Sequence, residues 1–425
     1  MFERLLEFLR RPGVVATVVG GAILARLAWW YTQEYKKKPK SVMSGEGIVK
    51  NTEMQVGDKI DLTKQDEIEL DPGLARMEYP NWTDEHTSLA RKHLTKEVWD
   101  KLKDKKAPCG FTIAHCVNTG VKNARSIVGC HAGDLESYSI FADLFDPVID
   151  SYHGGYKPDA KHPTDMNPAG LKGEIQDKSN IISTRIRIAR NLEGFALAPG
   201  MNNVSEKEAI EKLMIEVFKT LPDDLAGDYY PLNGMNEEKR QELIRDHFLF
   251  KGNDKMQADS GYHKFWPRGR GIFINKAKTF LLWINEGDHL RIISMEQGGD
   301  VNSVFSRLAR GANAIEAGIK KLTGKSYMIT PHLGAVTCCP SNLGTGLRGS
   351  VLIKVPKLAA KGEKHLHDIC EKYGLQARGL YGEHSTTVGG IHDISNKYRL
   401  GYSEVQLVQM MLDGVNEVNK LEKAA

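Results

Sequence analysis

Apolar residues in this chain recur at two different periods, and a segment patterned for a helix cannot be laid down as a half-buried strand. Between about residues 83 and 155 the spacing is three to four. Thr95, Val98, Trp99 and Leu102 share one helical face, and residues 139–149 (SIFADLFDPVI) supply another. Residues 154–180 are polar, with three prolines and four glycines, and mark a boundary. Beyond it, IISTRIRIA (181–189), GRGIFINKAKTFLLWIN (269–285), LRIISM (290–295) and GSVLIKV (349–355) are β-branched or aromatic runs with strand alternation. Helical patterns at 206–221, 304–322, 358–373 and 403–421 accompany them without a regular βαβ rhythm. The spacing predicts an α+β protein: a small helical domain over 83–155, a linker over 156–179, and a larger domain over 180–423 with one sheet flanked by helices.

A chain of 425 residues, 41% hydrophobic and 26% charged, can bury two ordinary cores, which sets aside disordered and fibrous classes. The formal charge of +4 comes from interspersed acids and bases, so nucleic acid is not an expected partner. Six irregularly spaced cysteines suit neither a disulfide scaffold nor a zinc site and read as free thiols. Residues 14–30 (VVATVVGGAILARLAWW) carry a single charge, Arg26, with Arg10 and Arg11 before the run and Lys36, Lys37 and Lys38 after it. The run is short of the roughly 20 residues of a membrane span, and Trp29, Trp30 and Tyr31 suit an interfacial belt. A mitochondrial targeting or anchoring segment and a single-pass anchor both fit, although Glu3 and Glu7 are unusual in an import signal. Residues 1–43 are therefore set apart from the folded body as a segment for membrane association, and 44–82 read as an arm.

Chemistry is signalled first by arginine. Arg185 and Arg187 alternate on one strand and leave the same face; Arg291 starts another strand, and Arg348 and Arg378 adjoin glycine-rich stretches. Each alone is compatible with surface ion pairing, whereas the set suits a polyanion that guanidinium forks grip bidentately. GIKKLTGKS (318–326) has one residue too many between its glycines and follows a helix, so it is not a phosphate loop of the usual kind. TCCPSNLGTGLRGSV (337–351) offers a turn with free backbone N–H groups and a thiol that a nearby cation would stabilise as thiolate.

CPSNLGTGLR (339–348) resembles the signature of the phosphagen kinases, the creatine and arginine kinase family. STRIRIAR, DHFLF, GRGI, DHLRIISM, RGLYGEHS and DISNKYRLGYSE resemble further family blocks, in family order, from about His86 to about Lys420. The resemblance implies a small all-helical N-terminal domain, then a domain built on an antiparallel sheet that carries ATP and Mg2+, with the guanidino substrate in the cleft between them. It implies nucleotide contacts from Ser183, Thr184, Arg185, Ile186, Arg187, Arg291, Arg348, Gly349, Ser350, Arg378, Gly379 and Gly382. Catalytic roles fall to Arg291, to Cys339 as the reactive cysteine, and to Glu383, which holds the guanidinium. Acceptor contacts fall to Ser126, Ile127, Val128, His131 and Tyr152, with Cys339 and Glu383. Phosphoryl transfer needs positioning and charge neutralisation more than covalent help, which agrees with an arginine-rich site.

Three features resemble the arginine-accepting members: the short loop 119–138, Tyr152 and Glu383. The framework is similar to mitochondrial creatine kinases, and His131 stands where arginine-type loops usually have tyrosine. L-Arginine is the expected acceptor, with taurocyamine, lombricine and creatine as alternatives; a monomer and a dimer both fit. Three positions depart from the family. Gly287, in NEGDHLR, stands where the family has a glutamate regarded as catalytic, and strand alternation would turn Glu286 to the opposite face. Ile274 and Leu352 stand where the resemblance places histidines flanking adenine. A catalytically impaired homologue that binds nucleotide at a membrane is the other reading.

Overall fold

A computed structural model describes Leu74 and residues 77–250, 252–379 and 389–425. The readings of residues 1–43 and of most of the 44–82 arm lie outside them, as do Gly382 and Glu383. Among the described residues no helix is long and apolar enough to cross a membrane.

The helical lobe comprises α1 (Leu89–His93), α2 (Lys96–Leu102), α3 (Ile113–Lys122), α4 (Glu136–Ile140) and α5 (Ala142–Tyr152). Short helices like these need their ends satisfied. Ser88 accepts from Arg91 N and Thr95 from Val98 N, which starts α1 and α2. Trp99, Leu102, Val117, Leu144, Phe145 and Val148 are buried together. Their core is completed by residues from later in the chain, among them Leu197, Tyr262, Met328, Leu333, Val336, Cys338, Leu343 and Leu400.

The second lobe follows as β1 (Ile181–Arg190), α6 (Val204–Phe218), β2 (Gly227–Pro231), α7 (Glu237–Arg245), α8 (Lys255–Asp259), β3 (Gly271–Asn275), β4 (Phe280–Ile284), β5 (Leu290–Gln297), α9 (Val301–Thr323), β6 (Ile329–Thr330), β7 (Gly334–Ala335), β8 (Leu347–Lys354), α10 (Pro356–Ala360), α11 (Glu363–Lys372), β9 (Leu375–Gly379), β10 (Ile391–Asn396) and α12 (Glu404–Ala424). Eight strands form one antiparallel sheet in the order β2-β3-β4-β5-β1-β8-β10-β9. One face is apolar: Ile186, Ile188, Leu282, Ile292, Leu347, Val351 and Ile394 pack under α6, α9 and α12. Each such side chain contributes about 1.5–3 kcal/mol when fully buried. α9 lies close because residue 311 is glycine: a Cβ there would fall 2.3 Å from Phe280 Cζ.

The α+β architecture matches the sequence expectation, with two local differences. The single helix expected over 358–373 is broken into α10 and α11 at Gly362, whose φ of 100° few other residues tolerate. The expected linker over 156–179 is a strap bound along α12. Its backbone amides at Asp165, Lys172 and Gln176 donate to Glu404, Gln409 and Asn416, and Asn419 donates to Asp177 O. A buried ion pair between Arg190 and Glu404, 3.3 Å, ties the end of β1 to the same helix.

Candidate active site

Register brings the arginines together. Arg187 on β1 lies directly opposite Arg348 on β8, and Arg185 opposite Ser350. On the other side, Ala189 pairs with Arg291 of β5, and Trp283 of β4 pairs with Arg291 in turn. Asp393 of β10 pairs with Leu352 and with Arg378 of β9. Paired residues share a face, so all five arginines project from the face opposite the apolar core. The guanidinium groups of Arg185 and Arg291 lie over the Trp283 ring, 5.5 and 5.8 Å from its centre.

Among the described residues, this face carries more positive charge than its acids match. Arg291 Nη2 is 3.3 Å from Glu286 Oε2, and Arg348 Nη2 donates to Asp393 Oδ2 at 2.6 Å. Among the described residues, Arg185 and Arg187 have no carboxylate partner within 4 Å. Burial, and then the charges of Arg348 and Arg291, bring Arg185 down to about 10. Burial and the three neighbouring guanidinium groups push Arg187 well below its ordinary value. Two unit charges about 5 Å apart repel by roughly 3 kcal/mol at an effective dielectric of 20. Arg348 Nε and Asp393 Oδ1 are buried without hydrogen-bond partners. A half-buried row of repelling cations with an unused donor fits the phosphates of a nucleotide. Magnesium, which commonly binds through substrate phosphates, fits with them.

Not every expected nucleotide contact faces this way. Ser183 and Ser350 share the arginine face. Thr184, Ile186 and Gly349 turn to the other: Thr184 Oγ1 donates to Gly298 O, Ile186 is fully buried in the core, and a Cβ on Gly349 would meet Met411. Their places in the run between the arginines put them out of side-chain reach of a ligand on the arginine face. Gly379 ends β9 opposite His392. Ile274 and Leu352 stand on β3 and β8, four strand spacings apart, or about 19 Å. A ring sandwiched between two side chains needs them about 7–8 Å apart. The pair therefore cannot flank one adenine, and Ile274 is sealed in a small apolar cluster with Leu243, Phe250 and Trp283.

The Cys339 loop hangs between the lobes. Ala132 N donates to Cys338 O and Tyr138 Oη to Thr337 O, while His153 Nε2 meets Pro340 O at 2.9 Å. From the sheet side, Asp288 Oδ1 accepts from Cys338 N and from Asn191 Nδ2. Cys339 Sγ is 3.1 Å from Ser341 Oγ. Burial pushes its pKa up more than Ser341 and Arg399 pull it down, so the expected thiolate is a thiol here. Arg399 donates to Ser341 O and has Tyr152 as an electrostatic neighbour, which brings Tyr152 to this loop. His131 sits edge-on to Tyr262, its ring Nδ1 unpartnered and its pKa driven by burial to about 4. Ser126 and Val128 are buried, Ile127 is 63% exposed, and the Ile127 and Val128 carbonyls are taken up by the first turn of α1.

The turn at residues 285–289 joins the two halves of the site. Asn285 has φ 54° and anchors the turn through Nδ2 to Lys207 O and Gly269 O. The segment is a turn, not a strand, so alternation does not apply and Glu286 is not turned away: its carboxylate reaches Arg291. A Cβ on Gly287 would lie 3.3 Å from Tyr262 Cε2 and 3.9 Å from Arg291 Nη2. Trp283, Asp288, Asp393, Tyr262 and Arg399 were not singled out from sequence. Asp393 and Arg399 lie inside DISNKYRLGYSE and Asp288 inside DHLRIISM, but nothing in the spacing says which side chains converge.

Residues 84–150 match the family model described as ATP:guanido phosphotransferase, N-terminal domain, and residues 209–425 match its C-terminal catalytic domain. The chain is 51% identical over 343 residues to an arginine kinase of Anthopleura japonica, covering 80% of this chain and about half (47%) of that one. It is 46% identical over 355 residues to the M-type creatine kinase of Gallus gallus, covering 82% of this chain and 92% of that one. Among solved structures, a lombricine kinase superposes with a TM-score of 0.78 at 39% identity, covering 82% of this chain and 95% of that one. A guanidinium-lined antiparallel sheet, a thiol loop bridging to a helical lobe, and these matches across both lobes place the chain in the ATP:guanido phosphotransferase family, the phosphagen kinases.

Proposed function

We propose that this protein transfers the terminal phosphoryl group of MgATP reversibly to a guanidino acceptor, and that the acceptor is L-arginine. The observation that carries the reaction class is the single face of Arg185, Arg187, Arg291, Arg348 and Arg378, set beside the Cys339 loop by the 285–289 turn. These guanidinium groups hold the phosphates and offset the charge that spreads over the transferring group. An acceptor guanidinium is protonated near neutrality, so a carboxylate has to orient its nitrogen and take up a proton. Tyr152 beside Arg399, the short 119–138 loop and Glu383 favour arginine, as does the likeness to arginine kinases of Anthopleura japonica and Limulus polyphemus.

A coupled assay with MgATP and L-arginine, creatine, taurocyamine or lombricine tests the proposal. The expected result is turnover that is fastest with L-arginine; no turnover with any of the four overturns it. Gly287 favours a second reading, a homologue that binds nucleotide and turns over poorly. Nucleotide binding by calorimetry without turnover is its signature. A mitochondrial location rests on residues 14–30 alone. Protease protection on isolated mitochondria, with a mass for the mature N-terminus, tests it.

A further inference from the structure

We infer that Glu286 is the carboxylate that holds the acceptor's guanidinium on the sheet side of the cleft and takes up its proton. This rests on the phosphoryl-transfer reading. Among the described residues, the acids paired with the arginines of the sheet face are Glu286 and Asp393. Asp393 lies within the phosphate row, opposite Arg378 and bonded to Arg348. Glu286 lies at the margin of that row, on the turn that Asp288 fastens to Cys338 N and so to the thiol loop.

Its two oxygens are unequal. Oε1 accepts from Gln257 Nε2 at 3.0 Å, which fixes the carboxylate plane. Oε2 is buried and makes no hydrogen bond, although it is 3.3 Å from Arg291 Nη2. A buried carboxylate oxygen held by an ion pair alone, without a hydrogen bond, can still take a well-placed donor from a ligand. Beside it in the turn, a Cβ on Gly287 would lie 3.3 Å from Tyr262 and 3.9 Å from Arg291, so the glycine keeps side-chain atoms out of the edge between these two. A planar N–H donor entering from the thiol loop would find there an acceptor on one side and the phosphate-holding Arg291 on the other.

The step balances as follows. As the acceptor nitrogen forms its bond to the γ-phosphorus, the bond to the β–γ bridging oxygen breaks and its electron pair leaves with ADP. The proton lost from the guanidinium passes to Glu286 Oε2 and from there to solvent.

The test compares the full chain with Glu286→Gln, Glu286→Asp and the double variant Glu286→Gln/Gly287→Glu. Binding of L-arginine in the presence of MgADP, binding of MgADP alone, and turnover are measured for each. Glu286→Gln keeps the side chain's shape and its partner Gln257. The expected result is at least a tenfold loss of L-arginine affinity and a fall in kcat of about a hundredfold or more. MgADP affinity and melting temperature should stay near those of the parent, and the double variant should recover L-arginine binding. Unchanged L-arginine affinity in both single variants overturns the inference, as does an equal loss of MgADP affinity, which would mark a merely structural support of Arg291. If the parent chain shows no turnover, the transfer reading fails on its own, while the L-arginine binding series still decides the role of Glu286.

Discussion

Arg187 and Arg348 face each other across β1 and β8 with Arg185 and Arg291 beside them, and the folded state holds this repulsion in readiness for an anion. Arg187→Ala should therefore separate two quantities. Nucleotide affinity is expected to drop about ten- to a hundredfold, the worth of one charge-assisted hydrogen bond at about 1.5–3 kcal/mol. The melting temperature of the unliganded protein should hold or rise, and a parallel fall in both would contradict the reading. Lys207 is a second strained cation, fully buried with no partner for Nζ and a pKa pushed well down by burial and by Arg270. Below a pH of about 10.5 the unfolded chain binds a proton that the folded chain resists, so this residue costs stability at neutral pH. Lys207→Met should raise the urea midpoint at pH 7 by an amount equivalent to about 1–3 kcal/mol. The gain should shrink as the pH approaches 10. At this scale the sequence was informative about residue types. Alternation put Arg185 and Arg187 on one face, but the pairing of Arg187 with Arg348 depends on strand register. Glu286 lies on a turn, where strand alternation does not set which way a side chain faces.

Elements were legible where the period was long and unbroken. α9 shows its apolar face through Val304, Leu308, Ala312, Ile315 and Ile319, and the structure extends it only by a few residues at its start. The break between α10 and α11 is not legible, because a single glycine inside a helical pattern gives no signal of its φ. The order of the eight strands was not legible, since β1 enters the centre of the sheet between β5 and β8, both far along the chain. Close approach of α9 to the sheet depends on Gly311. Gly311→Val should destabilise by about 1–3 kcal/mol or more through overpacking against Phe280, read as a lower urea midpoint at unchanged slope. An unchanged midpoint would mean that Phe280 has room to move aside.

Across the whole molecule, four histidines stand where the lobes, the strap and the sheet meet. Burial holds His131, His153 and His162 at about 4 and His289 at about 3. His289 uses both ring nitrogens as a neutral imidazole, Nδ1 accepting from Leu192 N and Nε2 facing Ala196 O at 2.8 Å. The unfolded chain protonates these rings near 6.5 and the folded chain does not, so their contribution is complete above that pH and lost as it falls toward 4. Urea midpoints should accordingly be flat above about pH 7 and decline steeply between pH 6 and 4. A flat profile down to pH 4.5 would show that the rings are not held neutral. The helical lobe, finally, does not complete its hydrophobic interior alone. Met328, Val336, Leu343 and Leu400 come from beyond the sheet's first strand to finish it. Expressed by itself, a fragment ending near residue 155 would keep its greasy underside in water and should behave as a collapsed, aggregating species. The boundary so visible in the sequence is a change of periodicity, and cutting the polypeptide there would divide one cooperative body.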